Sequence, residues 1–172
     1  MPIAPFHDMG PCFAIWDPNG LAIDLNPTLG GCRIRDSLIV KDILEDGQGE
    51  TAVDAVDAGR TIELEIPMTR FTWDQLQYVI QGSVRGTGNL TVKNSVGNAL
   101  FPASREIIIK PTEDNEASIV TSEWTHFFRC APVIDAEIVF DNSEQRVAKI
   151  LFKVFPDDAS PRKNHMYRYG PV

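Results

Sequence analysis

Alternating and branched hydrophobic runs dominate this chain, and they predict strands. Thr61 to Ile66 alternates cleanly, with Ile62, Leu64 and Ile66 on one side and Thr61, Glu63 and Glu65 on the other. Cys32 to Leu44 is a long run rich in branched residues. Asn89 to Val96 and Ser104 to Lys110 follow, separated at Gly97-Asn98 and closed by Pro111. Three more runs complete the set: Ser118 to Arg129, Val133 to Phe140 and Arg146 to Phe155. The last two are joined by the polar stretch Asp141 to Gln145, a hairpin-length connection. In the final run Ala148, Ile150, Phe152 and Val154 face one way, while Lys149 and Lys153 share the other face with Leu151. Such a sheet has one face in a core and one toward solvent or a neighbour.

One segment carries a helical signature instead. Thr72 at an N-cap with Gln75 three residues on forms a capping box, and Phe71 and Leu76 fall at the two positions of a hydrophobic staple. Asp74 suits the positive end of the helix dipole. Leu76, Val79 and Ile80 make a buried stripe, and Gly82 sits where the segment should stop. A helix over about 72–81 is expected.

Size and composition set the frame for these elements. A chain of 172 residues, 43% hydrophobic and 23% charged, is long enough for a self-sufficient core and balanced enough to fold as one domain, 1–172. No apolar run reaches the roughly 18 residues of a membrane span, and the opening MPIAPFHDMG lacks a signal-peptide layout, so a cytoplasmic site of synthesis and assembly is expected. Cys12, Cys32 and Cys130 are odd in number and far apart in sequence, which argues for reduced thiols rather than a disulfide framework.

Charge sharpens the picture. Between Asp42 and Glu65 lie eight carboxylates (Asp42, Glu45, Asp46, Glu50, Asp54, Asp57, Glu63 and Glu65) against one base, Arg60; that stretch is net −7 in a chain of net −8. The sixteen bases form no patch, which argues against tight nucleic-acid binding; an acidic surface repels a polyanion instead. The segment Glu45 to Gly59 is long for a connection and rich in Gly, Ala and acid, so it reads as a loop that orders only against a neighbouring copy.

Catalytic signatures find no support. His7, His126 and His165 are too dispersed for a local metal motif, and no CxxC or HExxH spacing occurs. The glycines between Gly82 and Gly88 lack the lysine and spacing of a phosphate loop, and no GxSxG elbow is present. Asp46-Gly47-Gln48-Gly49-Glu50 misses the ligand register of a calcium loop. The expectation is a protein without catalytic role, cofactor or metal.

The layout resembles a known family. A strand pair around a long acidic segment, a helix entered through Phe71-Thr72-Trp73, further strands, and a closing region Ala131 to Phe140, Ile150 to Asp158 and Tyr167 to Gly170 are similar to the tail tube proteins of tailed bacteriophages, which share their core fold with type VI secretion tube proteins. The resemblance covers about Cys32 to Gly170 and is one of layout, since the family has no invariant motif. It implies two packed antiparallel sheets, a sandwich or barrel with one flanking helix, in subunits that form stacked six-fold rings. It further implies a virion protein, assembled in the host cytoplasm, whose partners are other copies of itself, a tape measure protein and other tail proteins, with DNA passing down an acidic lumen without specific binding. On that reading residues 45–59 reach the adjacent ring, Asp42, Glu63 and Glu65 help line the bore, residues 1–30 form an arm lying over a neighbour, and Arg162, Lys163 and Arg168 in the tail 157–172 pair with acids of the next subunit.

Two other readings stay open. A tail terminator, baseplate hub or capsid decoration protein would use a related β fold. A β-sandwich binding module would instead expose Trp16, Trp124 or Tyr167 as an aromatic platform, although Trp124, flanked by Phe127 and Phe128, is expected in the core.

Overall fold

The computed structural model describes residues 12–25, 31–44, 51–68, 72–94, 96–113, 116–133 and 148–172. These residues are mainly strand, with one helix, as the hydrophobic pattern predicts. In chain order the strands are β1 (Cys12–Trp16), β2 (Ile23–Asp24), β3 (Arg33–Leu44) and β4 (Ala52–Met68). Helix α1 (Trp73–Val79) follows, then β5 (Ser83–Gly86), β6 (Asn89–Val92), β7 (Arg105–Glu113), β8 (Glu116–Ala117), β9 (Thr125–Val133), β10 (Ala148–Phe155) and β11 (Tyr167–Tyr169).

One large antiparallel sheet runs β2-β1-β7-β9-β10-β4-β3, and β5 with β6 forms a separate two-stranded sheet. The core lies on one face of the large sheet. Ala14 and Trp16 face Ile109 and Ile107; Ile107 faces Phe127; Val154 faces Ile62, Phe152 faces Leu64, and Ile150 faces Ile66. All belong to one buried cluster that also takes in Leu25 and Val79 of the helix. Laid flat, β1 and β3 would stand about five strand spacings apart, roughly 24 Å. Yet the Sγ of Cys12, on β1, lies 2.9 Å from that of Cys32, one residue before β3. The sheet is therefore rolled over its own core, with its two edges meeting beside Cys12, and the expected sandwich takes the form of this rolled sheet plus the small hairpin sheet.

The helix starts as its sequence dictates. Gln75 N–H donates to Thr72 Oγ1 at 3.3 Å, and Thr72 N–H donates to Gln75 Oε1 at 2.7 Å. The largely buried Gln75 also donates its Nε2 to the carbonyl of Asp24, which ties the helix to β2. The helix ends at Val79, capped by Ile80, and the chain turns back through Gly82 at φ 74°, where a side chain would be strained.

Several expectations need correction. Residues 12–25 of the supposed N-terminal arm are in the fold: CFAIW is a central-sheet strand, because its alternate residues Cys12, Ala14 and Trp16 are all buried. Residues 52–59 of the supposed loop 45–59 belong to β4, because β3 offers them a ladder. Of the glycines in 82–88, Gly82 turns the chain out of the helix, and Gly86 and Gly88 turn the β5–β6 hairpin. Strand β7 continues through Pro111 to Glu113, with Pro111 accepting from Ser118 N–H. Residues 118–124 are not strand but a turn leading into β9, and Trp124 is only half-buried there, with Lys110 Nζ 3.8 Å from its ring centre. The tail 157–172 is anchored too: β11 pairs with β9 where β10 leaves off, so β10 and β11 are two halves of one strand line interrupted by residues 156–166. The expected strand end at 134–140 and the loop 141–145 lie outside the described residues, as do residues 1–11 and 26–30 of the expected arm.

A bulge in β9 fixes that excursion. Arg105 faces Cys130 while Ile107 faces Phe127, so β9 carries one residue more than β7 there. Arg129 is thereby set to reach Asp157 and Asp158, at 3.4 and 2.9 Å. The buried Asp157 also lies 3.1 Å from Arg162 Nε, and Arg162 stacks 4.7 Å over Phe128. Arg162 is thus paired within its own chain.

Candidate functional site

The feature that departs from a self-contained fold is the β3–β4 hairpin. Strand β4 pairs with β10 only over Ile62 to Met68, while its pairing with β3 extends on to Leu44 and Ala52. Residues 37–44 with 52–61 therefore project past the body of the sheet, as an arm about 25 Å long at the usual strand rise. Every described residue of the arm is exposed. Among the described residues, the far edge of β3 carries no further strand.

Its sequence explains why it is a strand and not a loop. Strand β3 reads SLIVKDIL in this part, branched and strand-favouring. Residues 52–59 are weak strand formers by themselves, and two bulges, at Val53 and Ala58, let them follow β3. Gly59 has φ 137°, and Gly59 N–H donates to Asp57 Oδ1 at 2.8 Å beside the second bulge.

Alternation assigns the two faces. On the face continuous with the core lie Leu38, Val40, Asp42 and Leu44, with Arg60, Asp57 and Ala55 opposite them; the reverse face takes Ile39, Lys41 and Ile43, with Gly59, Val56 and Asp54 opposite. Both faces thus carry aliphatic side chains, 41–58% exposed across Leu38, Ile39, Val40, Ile43, Leu44 and Val56. An ordinary two-faced hairpin keeps such residues on one side. This one is apolar on both and covered on neither.

The acidic residues named from sequence are not brought together on one surface. Asp42 and Asp57 are on the core-continuous face, and Asp54 is on the reverse face. Glu63 and Glu65 sit at the root of the arm, half-buried, with Arg35 and Arg33 opposite them on β3 and Lys153 opposite Glu63 on β10. Sequence order hid this, since Arg33, Arg35 and Lys41 precede the acidic stretch and fold back beside it. Glu45, Asp46 and Glu50 lie outside the described residues. Of the tail cations, Lys163 and Arg168 are exposed, with Arg168 in register with His126. The root is also pinned from the C-terminal side: Asp36 accepts from Arg60 Nη1 and from Tyr167 Oη, both at 3.2 Å. The hydrogen bond and charge of Asp36 act with burial to raise the Tyr167 phenol above its ordinary range, burial being the larger effect.

Among the described residues, the other polar groupings do not form an open reaction site. His126 Nδ1 lies 3.0 Å from Glu106 Oε1, and Asn19 donates to Glu106 Oε2 at 3.0 Å, but Nε2 of His126 is enclosed and cannot meet a substrate. A cleft of about 630 Å³ opens between the end of β1, the helix and the β5–β6 hairpin, with Trp16 and Tyr78 in its wall. Trp16 Nε1 and Gln81 Nε2 have no hydrogen-bond partner, yet both atoms are buried rather than offered to the cleft. Among the described residues no group of three or more His, Cys, Asp and Glu converges on a metal position, and no helix is long and apolar enough to cross a membrane. Comparison with protein-family models returns no match, and comparison with curated proteins returns none either.

Proposed function

We propose that the protein is a structural subunit of a virion, a tail tube protein that assembles with copies of itself into stacked rings around a bore through which DNA passes. The observation that carries the reading is the arm: a projecting hairpin with aliphatic residues on both faces, whose outer edge is left unpaired by the described strands. Strand edges and apolar patches of this kind are hazards in a monomer and become contacts in an assembly. Burying six half-exposed aliphatic side chains at about half the 1.5–3 kcal/mol of full burial yields roughly 5–9 kcal/mol per arm before association costs. Association itself costs about 4–15 kcal/mol, so net assembly calls for several such contacts per subunit, as a ring or stack supplies. The six-fold ring and the DNA-conducting bore come from the resemblance of layout, as do the tape measure and tail partners. The half-buried Trp124 and the buried Trp16 weigh against an aromatic binding platform.

Negative-stain electron microscopy across a rising concentration series tests the proposal. Rings and tubes with a stain-filled axis are expected. Replacing residues 41–56 by Asn-Gly, which joins the paired residues Val40 and Asp57 through a tight turn, is expected to abolish stacking while leaving the body folded. Oligomers without an axial hole, or a monomer at every concentration, would count against it. A terminator or decoration protein would instead give single closed rings or head-bound particles.

A further inference from the structure

We propose that Cys12 and Cys32 are a redox-active pair that closes to a disulfide across the seam of the rolled sheet. This inference does not depend on the tube reading. The two residues belong to opposite edges of the sheet path: Cys12 is on β1, facing Pro111 of β7, and Cys32 immediately precedes β3. Rolling of the sheet brings their sulfur atoms to 2.9 Å, so a further approach of under ~1 Å reaches the ~2.05 Å of a sulfur–sulfur bond. No other pairing competes. Cys130, 0% exposed, is enclosed on β9 between Arg105 and Val154, and burial, reinforced by the nearby charge of Glu106, pushes its thiol up well above the ordinary range and leaves it inert.

The order of steps follows from exposure. Cys32 is half-buried and Cys12 is buried, so an oxidant meets Cys32 first. With a low-molecular-weight disulfide such as glutathione disulfide, the Cys32 thiolate attacks one sulfur, the reagent's bond breaks and one thiol leaves. The Cys12 thiolate then attacks the Cys32 sulfur of the mixed disulfide and displaces the second thiol. The protein gives up two protons and two electrons, and the reagent receives them as two thiols.

The consequence reaches the arm. Strand β3 is one of the arm's two strands, and its root at Arg33 adjoins Cys32. In the reduced protein the two thiols are in hydrogen-bond contact across the seam and are not covalently joined. After oxidation it is bonded to the far edge of the sheet, and the chain between the two cysteines becomes a closed loop.

The full-length reduced protein, incubated with glutathione disulfide, quenched with N-ethylmaleimide and then denatured and labelled, gives the test by intact mass and peptide mapping. Expected are one maleimide, on Cys130, and a linked peptide joining Cys12 to Cys32. The oxidised protein should melt roughly 6–12 °C higher than the reduced one, and dithiothreitol should reverse the shift. Cys12→Ser should stop at a stable glutathione adduct on Cys32, and Cys32→Ser should take up no bridge at all. Three labelled cysteines after oxidation, a retained adduct in the unmutated protein, or a bridge that includes Cys130 would each overturn the proposal.

Discussion

Replacing Val40 and Ile43 together by threonine separates the two roles an exposed aliphatic residue can have. The pair samples both faces of the arm, Val40 at 50% and Ile43 at 41% exposure. Threonine is branched at Cβ and favours strands, so the hairpin keeps its backbone preference. Within the monomer little is lost, and the change in stability should stay within about 0.5 kcal/mol. In an assembly that covers the arm, each site forgoes about half of the 1.5–3 kcal/mol for full aliphatic burial, so the pair forgoes roughly 1.5–3 kcal/mol per contact. That corresponds to an onset of self-association about ten- to a hundredfold higher in concentration. Sedimentation velocity over a dilution series reads the onset, and circular dichroism of dilute protein reads the monomer. An unchanged onset would refute the arm as an assembly surface. A fall of more than about 5 °C in the dilute melt would show instead that these side chains pack within their own chain.

Three further outcomes test the body of the fold. Gln75→Ala removes the reciprocal cap and the bond to the Asp24 carbonyl, and should cost about 1–3 kcal/mol by urea unfolding; Gln75→Glu, which keeps the acceptor and loses the donor, should fall between the two. Asp157→Ala strips the buried partner from Arg129 and Arg162, each about one-third exposed and so partly rescued by water; a loss of about 2–4 kcal/mol is expected, larger than for Arg162→Ala. Cys130 and Tyr167 both have pKa values raised by burial in the fold, so above about pH 8.5 the unfolded chain sheds protons that the native state keeps. Stability present at neutral pH should therefore decline as pH rises from about 8.5 toward 11, and Cys130→Ala should flatten the first part of that decline, as followed by thermal melts at each pH.

What the sequence makes legible, and what it hides, divides along physical lines. The capped helix is legible because its signals are local: Thr72, Gln75 and Gly82 act within one or two turns of themselves. Strands with strict alternation, such as Thr61 to Ile66 and Ala148 to Phe155, are legible for the same reason. The outer half of β4 is not, because AVDAVDAG has little strand preference and takes its conformation from a partner strand. Strand β1 was missed although its signal was present, a five-residue apolar run between Pro11 and Pro18-Asn19-Gly20. The arm as a surface is legible through its acids, while its exposed aliphatic residues, which define it better, read in sequence only as strand formers. The approach of Cys12 to Cys32 depends on the curl of the entire sheet, and no spacing rule reports a curl.

The two bulges of β4 give the arm a sense of rotation. Each extra residue, Val53 and Ala58, sharpens the right-handed coiling that strands already have. A surface that grips both sides of such a ribbon must turn with it, so it accepts one screw direction and rejects the mirror-related one. Any stack built through these arms would inherit a fixed hand from the two bulges, and deleting Ala58, which removes one of them, would change its pitch.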